Sequence, residues 1–238
     1  MGRNNYFQFK QFKIIQEKAA MKVGTDGVLL GAWTNISEAK TILDVGTGTG
    51  VIALMMAQRS EARITGVEIE KKAADEAVEN VKHSPWSERI CIKNISFQEF
   101  ATNTEETFDL IVSNPPFFVN DQKSKDSDLA IAKHNDMLPI PEMISGSLKR
   151  IHNRGKLALI LPVEPAKIFI ELAKKNGLFL SRLTKVRPNN KKEIHRYLAE
   201  FSKYKTEIET DELTIHEDDG SDYTQKYKTL TRKFYLNF

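Results

Sequence analysis

From residue 41 onward the chain alternates short apolar runs with segments whose apolar positions recur every three or four residues. Thr41–Val45 is a mostly apolar run ending on a glycine cluster, the pattern of a strand buried on both faces. Beyond it Ile52, Met55, Met56 and Arg59 fall at helical spacing with only Arg59 polar, which predicts a helix opened by the glycines. Arg63–Val67 predicts a second strand. Ala73, Ala77 and Val81, beside Ala74 and Val78, draw one apolar stripe along a second helix. Ile90–Ile95 and Asp109–Ser113 predict two more strands, the latter running into a pair of prolines. A helix over Ile140–Ile151 and a strand over Lys156–Leu161, stopped by Pro162, come next. The following helix starts near Pro165 and ends at Asn176-Gly177. Leu178–Val186 and Arg196–Phe201 complete the strands.

This alternation predicts a Rossmann-like α/β fold with a mostly parallel, seven-stranded sheet and helices on both faces. Residues 1–40 precede the first strand as an N-terminal extension, and 41–238 form a single globular unit. Hydrophobic residues at 40% and charged residues at 28% suit a chain with a real core and exclude disorder. No apolar run reaches the roughly 18–20 residues that a membrane span needs. The N-terminus alternates aromatics with lysines and has no apolar core of a secretory signal. A single cysteine, Cys91, in an apolar stretch, forms no internal disulfide and reads as a protein of the reducing cytoplasm.

Net charge is only +3, but it is unevenly spread. Residues 1–25 carry Arg3, Lys10, Lys13, Lys18 and Lys22 against Glu17 alone. Residues 182–205 carry eight Lys/Arg against Glu193 and Glu200, and 207–222 carry eight Asp/Glu with no Lys or Arg. Basic stripes attract a polyanion's phosphates, although runs of charge are commonly just solvated faces.

The first chemically informative stretch is Leu43-Asp44-Val45-Gly46-Thr47-Gly48-Thr49-Gly50. A sharp strand-to-helix turn needs residues without a Cβ, and it lies at the sheet edge where open α/β folds bind ligands. Glu68 ends the next strand and suits the two hydroxyls of a ribose. A dinucleotide fingerprint requires a small residue at Val51. Here the third glycine is Gly50 instead, and Asp44 would set negative charge beside a pyrophosphate. The same acid favours S-adenosylmethionine (SAM), with its cationic ammonium. A nucleotide-binding oxidoreductase is the weaker reading.

The second is Ser113-Asn114-Pro115-Pro116-Phe117-Phe118. The prolines stiffen a loop at the same edge. The Asn114 amide oxygen and the Pro115 carbonyl offer two acceptors for a planar NH₂ group. Phe117 offers a face for a ring, with stacking worth roughly 1–3 kcal/mol per base.

With these two motifs the chain resembles class I SAM-dependent methyltransferases that act on amino groups, whose hallmark is [DNS]PP[YFW]; the resemblance covers most of residues 20–201. Phe7-Gln8-Phe9-Lys10-Gln11-Phe12 and Met21-Lys22-Val23-Gly24-Thr25-Asp26-Gly27-Val28-Leu29-Leu30-Gly31-Ala32-Trp33 are similar to the opening of bacterial tRNA1(Val) adenine-N6 methyltransferases. That resemblance implies methylation of the adenine 3′ of the anticodon, a tRNA anticodon loop as partner, and no metal. It implies a catalytic role for Asn114, Pro115, Pro116 and Phe117. It further implies cofactor contacts from Thr25, Asp26, Gly27, Asp44, Gly46, Gly48, Gly50 and Glu68. Relatives carry an acid after the third strand against the SAM adenine; Ile95 and Ser96 stand there in this chain. On the residues alone, Gly24–Gly27 is equally a tight turn with an Asp helix cap. Guanine-N2 methylation of rRNA, glutamine-N5 methylation of a protein, and a non-catalytic RNA-binding module remain alternatives. Oligomeric state is open. His134, following the proline loop, reads as a surface residue; His152, His195 and His216 have no metal-ligand spacing. Met55, Met56, Trp33 and Trp86 are expected to pack in the interior.

Overall fold

The computed structural model describes residues 5–19, 21–115 and 138–238. A short antiparallel hairpin, β1 (Tyr6–Gln8) and β2 (Lys13–Ile15), leads into α1 (Thr25–Trp33). Then follow β3 (Thr41–Val45), α2 (Val51–Arg59), β4 (Arg63–Glu68), α3 (Lys71–Lys82), β5 (Ile90–Asn94), α4 (Phe97–Asn103) and β6 (Phe108–Ser113). Beyond residue 137 come α5 (Ile140–Arg150), β7 (Ile151–Pro162), α6 (Val163–Lys175), β8 (Phe179–Arg187), β9 (Arg196–Ser202), β10 (Glu209–Thr214) and α7 (Gln225–Thr231).

Strands β3 to β10 form one sheet in the order β10-β8-β9-β7-β6-β3-β4-β5. Strands β3 to β7 are mutually parallel, whereas β9 runs antiparallel to both β7 and β8. Side chains alternate across this sheet, so a run apolar throughout feeds two cores. Ile42, Leu110, Val112, Ala158 and Ile160 pack on one side with α1, α2 and the hairpin aromatics Phe9 and Phe12. Leu43, Ile111, Leu157 and Leu159 face the other side, against Phe97, Phe100, Met143, Ile144 and Phe169 of α4 to α6.

The sheet has eight strands where the pattern predicts seven. The addition is β10, parallel to β8 at the edge, and its first four residues are exposed. A strand bearing Glu209, Asp211 and Glu212 has no apolar alternation to read. Asp211 pairs with Lys226 at 2.7 Å and Glu212 with Arg187 at 2.5 Å. Part of the acidic stretch is therefore a charged sheet edge, which discourages pairing with another chain.

The stripe on α3 also needs correction. Val78 is 45% exposed, and the buried face carries Glu76 and Asn80 among Ala73, Ala74, Ala77 and Val81. Position 78 lies about 100° round the helix from 77, beyond the edge of that face. Cys91, expected in an apolar setting, is exposed on the edge strand β5. Met55 and Met56 are fully buried. Trp33 donates to Thr184 Oγ1 at 2.8 Å beneath the Arg182 guanidinium, and Trp86 meets Phe12 edge-on, so both tryptophans pack as expected. The hairpin is clasped by the chain's C-terminal residues: Phe9 stacks on Tyr235, and the Lys10 N–H donates to the Phe234 carbonyl at 2.8 Å.

Candidate active site

Register brings the two informative loops together. Val45, the last residue of β3, lies opposite Ser113, the last of β6, and also opposite Val67 of β4. Glu68 is in turn opposite Asn94 at the end of β5. Gly46–Gly50, Asn114-Pro115, Glu68 and Ile95-Ser96 therefore leave the C-terminal edge of four neighbouring strands. From β3 the chain winds outward through β4 and β5, then returns to β6 on the other side of β3. The crevice between β3 and β6 is thus the topological switch point, where open α/β sheets bind ligands.

The glycine loop takes a conformation other residues rarely adopt, with φ of +68° at Gly46, +55° at Gly48 and +83° at Gly50. It is fixed by backbone bonds: the Gly46 and Thr47 N–H groups both donate to the Val67 carbonyl, at 2.9 and 3.1 Å. A Cβ at Gly46 or Gly48 would meet nothing within 4 Å, so the loop presents bare backbone to an open cradle. Behind it Asp44 is fully buried. Its Oδ2 accepts from Thr47 Oγ1 at 2.6 Å and from the Ala53 N–H at 3.1 Å, while Oδ1 has no hydrogen-bond partner among the described residues. Burial pushes this carboxyl up to about 7; the Thr47 and Ala53 bonds oppose the rise and the charge of Glu68 adds to it. Glu68 Oε2 accepts from the Gly48 N–H and Oε1 from the Glu70 N–H, both at 2.9 Å. The carboxylate expected for a ribose therefore also fastens the loop.

On the acceptor side, Ser113 Oγ donates to the Val45 carbonyl at 2.7 Å, locking the end of β6 to the end of β3. Asn114 follows, half-buried, and Pro115 is buried. Pro116, Phe117 and His134 lie outside the described residues.

Thr25, Asp26 and Gly27 form the first turn of α1, next to the glycine loop: a Cβ at Gly27 would be 3.5 Å from Val51 Cγ1, one residue after Gly50. The cap of α1 is Gly24, without a side-chain cap bond, so Asp26 is not the cap. Asp26 Oδ2 instead accepts from Arg196 Nε at 2.8 Å. Arg196 opens β9 opposite Pro162, the last residue of β7, and so stands at the same edge. In the sequence Arg196 is hidden within a general basic run, and only the reversal of β9 brings it to this edge. Its neighbour His195 is held below the usual imidazole range, first by partial burial and then by the Arg196 charge. Ser96 caps α4, its Oγ accepting from the Glu99 N–H at 3.2 Å, so that oxygen serves a helix as well as any ligand. Ile95 is half-buried against the α4–α6 core.

This edge offers glycine backbone, an acid with a buried oxygen unpaired among the described residues, a second carboxylate, and Asn114-Pro115 one strand away. Residues 19–162 match the family model described as "Methyltransferase small domain". A tRNA1(Val) (adenine(37)-N6)-methyltransferase of Trichodesmium erythraeum is 45% identical over 98% of this chain and 99% of its own length. One of Flavobacterium johnsoniae is 44% identical over 97% and 99%. The chain belongs to the tRNA1(Val) (adenine(37)-N6)-methyltransferase family. Among solved structures, one described as a predicted O-methyltransferase from Agrobacterium tumefaciens superimposes with a TM-score of 0.69, at 18% identity, over 88% of this chain and 96% of that one. This likeness is one of fold. As a class I methyltransferase the protein takes its methyl group from SAM. The site fits that donor: Asp44 Oδ1 is an acceptor with no donor among the described residues, and the φ-positive glycines leave room for close approach. The dinucleotide reading is set aside. Among the described residues no helix is long and apolar enough to cross a membrane, and no cluster of three His, Cys, Asp or Glu could hold a metal.

Proposed function

We propose that the protein methylates the exocyclic N6 of an adenine in tRNA, adenine 37 beside the anticodon of tRNA1(Val), in a reducing cytoplasm. The observation that carries this reading is the β3–β6 register: it sets Asn114-Pro115 beside the glycine loop, in a chain 45% identical to such an enzyme over nearly its whole length. Asp44, Gly46, Gly48, Gly50 and Glu68 would hold the cofactor from the sheet, and Thr25, Asp26 and Gly27 from α1. Residues 1–40 thereby close over the cofactor bound by the 41–238 domain. Ile95 and Ser96 would flank its adenine. When bound, SAM supplies an electrophilic methyl group on a sulfonium.

An amine conjugated to an aromatic ring is a poor nucleophile because its lone pair is delocalised. Asn114 Oδ1 and the Pro115 carbonyl accept from the two N–H bonds, raise electron density on nitrogen as it attacks, and stabilise the positive charge that develops. They would also hold the nitrogen toward the methyl group that SAM supplies. The proton that the amine must lose after transfer would leave to water, so this chain need supply no strong base. By its chemistry Pro116 would restrict the residue before it, and Phe117 would offer its ring to the extruded base, which costs less to unstack from a loop than from a duplex.

The tRNA backbone is held by the turn between β8 and β9, where Lys191 and Lys192 are exposed. Strand β8 is parallel to β7, so this turn projects from the active-site edge. The other basic stripe contributes less. Lys10 Nζ donates to the carbonyls of Arg232 and Phe238, and Lys13 covers the Tyr6 ring.

The test is transfer of labelled methyl from SAM to unmodified total tRNA, rRNA and cell protein in parallel, with digestion and mass spectrometry of the product. N6-methyladenosine in one tRNA is the expected result. N2-methylguanosine or methylglutamine would overturn the acceptor, and SAM binding with no transfer would overturn catalysis.

A further inference from the structure

Two polar side chains on the buried face of α3 are committed to backbone partners outside their own helix. Glu76 is 4% exposed and Asn80 1%. Glu76 Oε1 accepts from the N–H groups of Glu17 and Lys18, at 2.7 and 2.9 Å, and Oε2 accepts from that of Ala19 at 3.0 Å. Asn80 Oδ1 accepts from the Ile15 N–H at 2.7 Å, and Nδ2 donates to the Ile15 carbonyl at 2.9 Å. The same Nδ2 donates to the Thr49 carbonyl in the glycine loop, also at 2.9 Å. One turn earlier on this face, Ala77 lies 3.5 Å from where a Cβ at Gly50 would stand.

A buried polar group persists where its bonds are made, and a carboxylate accepting successive backbone N–H groups holds that backbone more firmly than a neutral acceptor would. The main chain pinned in this way leads directly to the first turn of α1. On the way, Gln16 Oε1 accepts from the Val23 N–H at 2.9 Å. One face of α3 thus touches two of the segments proposed to wall the cofactor site, the glycine loop through Thr49 and the N-terminal segment through Ile15 and residues 17–19.

We propose that Glu76 and Asn80 are positioning residues that set the 15–27 segment against the glycine loop, so that SAM affinity depends on them through the backbone they hold. The inference rests on the reading of those two walls as the SAM site. Asn80→Ala leaves the Thr49 and Ile15 groups without their partner, and the expected effect is a rise of about tenfold in the SAM Kd and KM. kcat at saturating SAM and tRNA stays within about twofold, since the acceptor loop is untouched. Asn80→Asp keeps the acceptor for Ile15 but turns an oxygen on two carbonyls, and is expected to be at least as damaging as alanine. Glu76→Gln keeps the shape and sets an NH₂ against an N–H donor, with an expected loss of about threefold.

Calorimetry with SAM, and hydrogen exchange over residues 15–27 with and without it, read these effects. Val81→Ala, an apolar truncation on the same helix, is the control for stability alone: it lowers Tm and leaves the SAM Kd unchanged. Should Asn80→Ala fail to fold, Glu76→Gln carries the same readouts. Variants that lose Tm as Val81→Ala does, yet bind SAM within twofold of the parent protein and keep its exchange protection at 15–27, overturn the proposal. If the unsubstituted protein itself binds no SAM, the site reading fails, and this is seen before any variant is compared.

Discussion

The glycine-loop end of the sheet and its β10 edge treat polar groups in opposite ways. Near the glycine loop, Asp44, Ser113, Glu76 and Asn80 are buried and answered almost entirely by backbone atoms. Along β10, Asp211 and Glu212 meet Lys226 and Arg187 as exposed ion pairs. Buried groups with fixed partners tolerate little change, whereas exposed pairs are screened and cost little to lose. Perturbations near the glycine loop should fall on ligand affinity and chemistry, and those along β10 on stability alone.

The largest effect belongs to Asn114→Ala: methyl transfer falls by about 100-fold or more, as for loss of one preorganised partner of the reacting group, while calorimetry finds SAM binding nearly unchanged. If SAM binding is lost as well, Asn114 serves the cofactor. Gly46→Ala comes next, because an L residue held at positive φ costs about 1–2 kcal/mol. We expect a fall of roughly 2–8 °C in Tm and weaker SAM binding, since the new methyl enters the cradle. An unchanged Tm would mean that the loop relaxes out of its left-handed turn.

Asp44 supplies a pH test. Its carboxyl ordinarily titrates at 3.8 and stands at about 7 in the folded protein. Between those values the folded chain holds a proton that the unfolded chain has released, so its contribution to stability declines as pH rises from about 4 to about 7 and is level above. A cationic ligand favours the ionised acid, so SAM affinity should rise as pH increases through 7. Asp44→Asn should abolish that slope; a slope that survives belongs to another group. On the RNA side, Lys191→Ala with Lys192→Ala should lower tRNA affinity and reduce the salt slope by roughly 1–2, and an unchanged slope moves the RNA surface elsewhere. The smallest effect is Asp211→Asn, expected to cost at most about 1 kcal/mol in thermal unfolding, with transfer activity intact.

The same division decides what the sequence could reveal. The bounds of β3 were readable to the residue because a mostly apolar five-residue run abuts glycines whose positive φ no other residue adopts easily. The stop of α6 was readable from Gly177, which takes φ of +85° just beyond the helix end. The proline pair and the glycines named the chemistry of the edge, and the strand register then made them neighbours. Hidden were the elements whose burial does not follow apolarity. The hairpin strands have three residues each, too few to show a period. Strand β10 is written in acids. Glu76 and Asn80 are polar by composition and interior by position, and the same rule that passed over them drew Val78 into the core. Arg196 became informative only once the fold had reversed β9 and brought it to Asp26.

The clasp between the first and last described elements bears on how the protein is made. A chain leaves the ribosome N-terminus first, so β1 and β2 emerge long before Tyr227, Phe234 and Tyr235. Phe9 is fully buried in the finished protein, in the same core as Tyr227 and Phe234. During synthesis that aromatic cluster waits, half-built, for residues more than two hundred positions away. The aromatic face of the hairpin can therefore be covered only after those residues have been made.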